Sequence, residues 1–112
     1  MEKMDRKSVP KSRWPKYFSS FTHGNRGRLI KISLFEGERE QKALEEDMPL
    51  LAVSYDSHHN GMLSISVGKD KIEYEHPISK PEKVWVDEEE GWAKSMVVMD
   101  ADGNRTVLTF EE

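Results

Sequence analysis

Apolar residues recur along this chain with a period of two over most of its length, and with a helical period in one stretch near the start. That stretch is "SRWPKYFSSFTHGN", where Trp14, Tyr17, Phe18 and Phe21 stand at i, i+3, i+4 and i+7. This is the spacing of one helix face. Ser12 is a suitable N-cap, Pro15 is tolerated in a first turn, and Gly24 can end the helix in the left-handed conformation. The pattern predicts a helix from about Arg13 to His23. So short a helix is marginal alone, and its aromatic stripe must dock on something.

The period-two segments supply the surface it docks on. "RLIKISLF" (Arg28–Phe35) sets Ile30, Ile32 and Leu34 against Lys31 and Ser33. "PLLAVSYD" (Pro49–Asp56) alternates Leu51, Val53 and Tyr55 with Ala52 and Ser54, and "MLSISVG" (Met62–Gly68) alternates Leu63, Ile65 and Val67 with serines. Asn60-Gly61 between them is a hairpin signal. "KIEYEH" sets Ile72 and Tyr74 against Glu73 and Glu75, and "WAKSMVVM" and "RTVLTFEE" are joined by "DADGN", with Thr106, Leu108 and Phe110 on one face. Between these, "GEREQKALEED" (Gly37–Asp47) reads as a loop with one helical turn. "PISKPEKVWVDEEEG" carries two prolines and reads as extended but not central sheet, with Val84–Val86 a short strand at most.

Strands at short spacing with tight turns predict an antiparallel meander. The expected fold is mainly β (α+β): an N-terminal helix packed on a strongly bent antiparallel sheet of about six strands, a half-open small barrel with the helix over its open end. The four aromatic rings are then core plug rather than ligand grip. Residues 1–11 read as a flexible basic tail and 12–112 as one domain, within the commonest size range.

Composition narrows the chemistry. No Cys occurs among the 112 residues, which excludes disulfides, thiolate zinc sites and cysteine nucleophiles. The charged, non-apolar start is not a secretory signal, and no apolar run approaches the length that spans a bilayer. A soluble cytoplasmic protein without membrane contact is expected. The net charge of −4 divides into +7 over residues 1–31 and −11 over 32–112. Such a basic segment can reach for a polyanion, lie on its own acidic body or remain a solvated tail. The last two readings are favoured.

Motifs for chemistry are few. "DADGNRTVLTFE" resembles a calcium loop through Asp100, Asp102, Asn104 and Glu111, but Arg105 stands where glycine is needed and a strand pattern follows, so a hairpin with Asp102-Gly103 in the turn is favoured. "DSHHN" holds His58 and His59, whose side chains diverge on an extended chain, and reads as a polar hairpin tip. "DEEEG" (Asp87–Gly91) reads as a solvated loop. His76, before Pro77 at a strand end, is either a hydrogen-bonded structural residue or a general base. No catalytic residue, metal ligand set or cofactor motif is assigned. The residues selected for ligand or partner contact are Arg26, Arg28, Lys31 and His76.

Trp14, Phe18 and Phe21, then "MPLLAVSYD", "HPISKPEKVWV" and "DADGNRTVLTF", together resemble a small family of uncharacterised bacterial proteins described as a domain of unknown function. The likeness covers Trp14 to Phe110: a "PL" strand entry, a His-x-Ile followed by Pro and then Val-Trp, and an Asp-Gly hairpin closing on Thr-x-Leu-x-Phe. One departure is Gly27-Arg28, where members often have Gly followed by an aromatic. The resemblance implies a compact one-domain protein and brings no catalytic residue, ligand or partner. The favoured function is a non-enzymatic binding module acting through a sheet edge or the barrel rim, with a protein partner or a second copy. The alternatives are a nucleic-acid-associated protein using the basic segment, and a metal-assisted or His-dependent hydrolase.

Overall fold

The aromatic stripe faces inward. In the computed structural model, which describes residues 4–37, 39–58 and 61–111, a 3-10 turn over Lys11–Arg13 leads into α1 (Trp14–Asn25), which buries Trp14, Phe18 and Phe21. The Trp14 side chain has no exposed surface. Its Nε1 donates to the Val9 carbonyl at 2.9 Å, and its ring stands edge-on to Tyr55 with centroids 5.0 Å apart. An indole that is buried needs such an acceptor. Phe21 tilts against Phe110 at 5.8 Å. The helix ends differ from expectation. Arg13 occupies the N-cap with no side-chain cap, and Gly24 lies within the helix. The left-handed turn falls at Gly27 (φ 92°) instead, where the N–H reaches Leu50 O at 2.8 Å.

The strands are β1 (Met4–Ser8), β2 (Leu29–Glu36), β3 (Arg39–Asp56), β4 (Met62–Val67), β5 (Tyr74–Ser79), β6 (Pro81–Glu89), β7 (Trp92–Asp100) and β8 (Asn104–Phe110). They form one antiparallel sheet in the order β1-β6-β7-β8-β2-β3-β4-β5, which does not close on itself. The bend lies in β3. Its first part, through Pro49, pairs with β2 and its second, from Leu50, with β4, and Asp47 takes a left-handed φ of 55° at a register shift just before the change of partner. Folding the sheet there lets both limbs share one core. Ile30, Ile32, Leu108 and Phe110 come from one limb and Leu63, Ile65 and Val67 from the other, as their alternation requires.

Where β3 leaves β2, its edge is covered by α1. The Thr22 Oγ1 accepts from the Val53 N–H at 2.9 Å and donates to the Val53 carbonyl at 3.1 Å. Arg26 Nε donates to Leu51 O at 3.2 Å. Side chains thus replace a missing strand and blunt an edge that would otherwise invite pairing.

The bent antiparallel sheet and packed helix match the pattern, but eight strands replace about six. Met4–Ser8, expected as tail, is a strand on the edge of the sheet. Its alternation is invisible because it carries charge, and the charge is answered by β6: Arg6 closes on Asp87 at 2.8 Å and Lys7 on Glu88 at 2.9 Å. "DEEEG" is correspondingly no loop; Asp87 to Glu89 continue β6, and only Glu90 and Gly91 turn. β6 itself spans nine residues with Pro81 at its first position, the place in a strand that tolerates proline. Residues 39–47, expected as loop, pair with β2; sheet context overrides a weak local helix preference. Ile72 precedes β5 and is exposed.

Candidate functional site

β5 is the last strand of the sheet, and its side chains alternate, with Tyr74, His76 and Ile78 turned inward. The bend carries this inward face across to β8, which is not its neighbour in the sheet. There His76 Nε2 lies 3.3 Å from Thr106 Oγ1. A cleft of about 500 Å³ opens beside this pair, within the range of small-molecule sites.

Three strand ends build it. The end of β2 supplies Leu34, Phe35 and Glu36, and β5 supplies His76, Pro77, Ile78 and Ser79. The turn between β7 and β8 supplies Asp100, Asp102 and Asn104. That turn is the expected hairpin rather than a cation loop. Asp100 Oδ1 accepts from the N–H groups of Asp102 (2.9 Å) and Asn104 (3.0 Å), as a short acidic side chain does at a turn. Lys80 completes the rim at φ 51°. Its N–H reaches Gly61 O at 3.3 Å and its carbonyl accepts from Ala101 at 3.0 Å. One left-handed residue, held at a cost of about 1 kcal/mol, therefore ties the β5–β6 turn to two others.

Burial pulls the His76 imidazole below its usual 6.5, so the ring is neutral near pH 7 and keeps a lone pair on one nitrogen. Thr106 beneath it is 5% exposed. The cleft lining carries three carboxylates, Glu36, Asp100 and Asp102, against the single ammonium of Lys80, a formal charge of −2.

The other residues selected from the sequence lie elsewhere. Arg28 Nη1 donates to Asn25 Oδ1 at 2.8 Å and Ala93 O at 3.0 Å, and its guanidinium lies 4.0 Å over Phe110 and 5.6 Å over Trp92. It braces the end of α1 against β7 and β8. Arg26 caps the edge of β3, and Lys31 Nζ stands 4.0 Å from Glu46. Arg28 precedes β2, whereas the cleft takes the far end of that strand, roughly 20 Å along at about 3.3 Å per residue. The four are not brought together. Sequence reasoning missed Glu36, Lys80 and Thr106 as site residues and noted Asp100, Asp102 and Asn104 only as a disfavoured calcium loop. The Asp102-Gly103 turn was legible, but that this turn meets His76 depends on the bend in β3.

A groove of about 660 Å³ also runs between α1 and the edge of β3. A smaller hollow beside the 62% exposed Trp92 contains Tyr17. Its hydroxyl is pushed up to about 12, chiefly by burial and then by Glu88. Among the described residues, no three His, Asp or Glu side chains are placed to hold a metal ion, and His58 pairs with Asp56 at 2.7 Å. His59 and Asn60 lie outside the described residues. Among the described residues, no helix is long and apolar enough to cross a membrane.

A protein of Aquifex aeolicus (strain VF5), described as uncharacterized, is 28% identical over 108 residues, covering 96% of this chain and 94% of its own length. The model of the family of unknown function DUF5335 matches residues 5–112, from within β1 past the end of β8. The chain therefore belongs to DUF5335, a family of unknown function.

Proposed function

We propose that this protein is a non-enzymatic binding module of the cytoplasm whose ligand sits in the cleft between β5 and β8. One observation carries the reading: a cleft of about 500 Å³ in which a half-buried histidine, a buried threonine hydroxyl and a polar turn converge over an apolar wall. Polar groups that converge in a concave cleft make it a default candidate for a ligand site. Catalysis has less to support it. His76 and Thr106 have the spacing of a base and a nucleophile, but Thr106 is buried. Among the described residues no carboxylate bonds the imidazole to orient it, a role such pairs need. The polyanion reading has less as well, because Trp14 and Phe18 are buried and stacking rings must be free. Edge pairing with a partner is disfavoured by Pro77 in β5 and the charges of β1. The absence of Cys is compatible with a reducing compartment.

The test is a thermal-shift screen of the full chain against a metabolite library, repeated with Asn104→Trp, which sets a bulky ring at an exposed position of the cleft lining, on the face of β8 that carries Thr106. A ligand at about 100 times its Kd stabilises the chain by about 2.7 kcal/mol. Hits that Asn104→Trp abolishes, and that are recovered chemically unchanged, are expected. Hits indifferent to Asn104→Trp, or converted to product, would overturn the reading.

A further inference from the structure

The backbone edges of this sheet are treated differently. Where β3 leaves β2, Thr22 and Arg26 take the backbone groups of Val53 and Leu51. On β5, Pro77 has no N–H to offer an added strand. β1 carries neither device. It ends the strand order opposite β5 and pairs with β6 without a register shift. The Val9 N–H reaches Val84 O at 2.9 Å, and antiparallel bonding alternates along a strand. Lys7 and Asp5 therefore also spend their backbone groups on β6, and those of Met4, Arg6 and Ser8 point away from it.

We propose that this edge pairs with β1 of a second copy of the chain, antiparallel about a two-fold axis at Arg6. This goes beyond the cleft reading and does not depend on it. The charges of β1 turn away an unrelated strand, but they fit their own sequence in one register. Arg6 against Arg6 lets the outward backbone groups of Met4, Arg6 and Ser8 find partners, and it sets Asp5 against Lys7 twice, in the close non-hydrogen-bonded pairs. A shift by two residues, the smallest that keeps the hydrogen bonding, sets Asp5 against Asp5 or Lys7 against Lys7. Like charges directly opposite are destabilising. In the favoured register each Arg6 guanidinium stays closed on its own Asp87. Asp5 gains as well. It stands directly opposite Glu88 of β6, whose cation is Lys7 of its own strand, and the second copy brings another lysine. Five residues a side make a small interface, so the association is weak.

The experiment is sedimentation velocity of the full chain over a concentration series reaching about 1 mM, so that a Kd in that range still shows as dimer. Exchange of the Arg6 amide is followed in parallel by NMR. A dimer that slows this exchange is expected. Asp5→Lys and Lys7→Asp each create two like-charge pairs and are expected to weaken the dimer about tenfold. An equal mixture of the two variants restores both opposite-charge pairs and is expected to recover it. Ser8→Pro removes an N–H that β6 does not use and leaves every charge in place, and it is expected to weaken the dimer too. A monomer throughout, or a dimer that leaves Arg6 exchange unchanged, would overturn the inference. So would a dimer indifferent to both Asp5→Lys and Ser8→Pro, or a mixture that gains nothing although both variants keep β1 on β6.

Discussion

Arg6 and Asp87 face each other across β1 and β6, and the guanidinium closes two hydrogen bonds on the carboxylate, Nε at 2.8 Å and Nη2 at 3.0 Å. Ser95 adds a third at 3.0 Å. The N-terminal basic charge and the acidic run of the body thus neutralise each other within one sheet. Because Arg6 is 58% exposed, Arg6→Ala is expected to cost less than about 1 kcal/mol in urea unfolding after solvent screening. Faster hydrogen exchange of the β1 and β6 amides should accompany it.

The same pair fixes a pH dependence. The Arg6 hydrogen bond, with help from Ser95 and the nearby charge, holds Asp87 below its usual 3.8 despite partial burial. A carboxylate depressed on folding contributes stability that is complete above its unfolded value and lost as pH falls through the folded one. Acid titration of wild type and Arg6→Ala by circular dichroism is expected to show the two stabilities converging below pH 3.8.

Burial has lowered the pKa of His76, so folding is linked to keeping it uncharged. Its contribution is complete above 6.5 and falls as pH drops through the folded value. His76→Gln is expected to flatten the melting temperature between about pH 5 and 7 relative to wild type. An unchanged slope would mean that the ring titrates as if in water.

Trp14 closes the core between α1, Val9 and Tyr55. Trp14→Ala is expected to cost about 3–5 kcal/mol, enough to unfold much of a marginal domain. Trp14→Phe keeps a ring but orphans the Val9 carbonyl, at about 1–3 kcal/mol. Equilibrium urea melts of both variants check the order.

Thr22→Val is nearly isosteric and removes both bonds to the Val53 backbone. A loss of about 1–3 kcal/mol is expected, with exchange of the Val53 amide rising more than that of Ile65, which pairs on the β4 side. Uniform changes at both amides would mean that Thr22 does not protect the edge.

Much of the architecture was legible because it follows from alternation. The inward faces of β4 and β8 are Leu63, Ile65, Val67 and Thr106, Leu108, Phe110, as the sequence spaces them, and the stripe of α1 is buried. What escaped has no apolar period. β1 is held by ion pairs, and the first half of β3 by backbone pairing with β2. The site was half legible for the same reason. His76 stood out by residue type, but its meeting with Thr106, thirty positions away, is set by the turn of β3 near Asp47 and carries no local signature. Arg28 looked like a ligand contact because stacking on Phe110 cannot be read from charge.

The most direct measurement is a crystal of the full chain soaked with a mixture of small amines and acids. Density is expected in the β5–β8 cleft, between His76, Leu34 and Asn104. Density in the groove between α1 and β3 with the β5–β8 cleft empty would contradict the account.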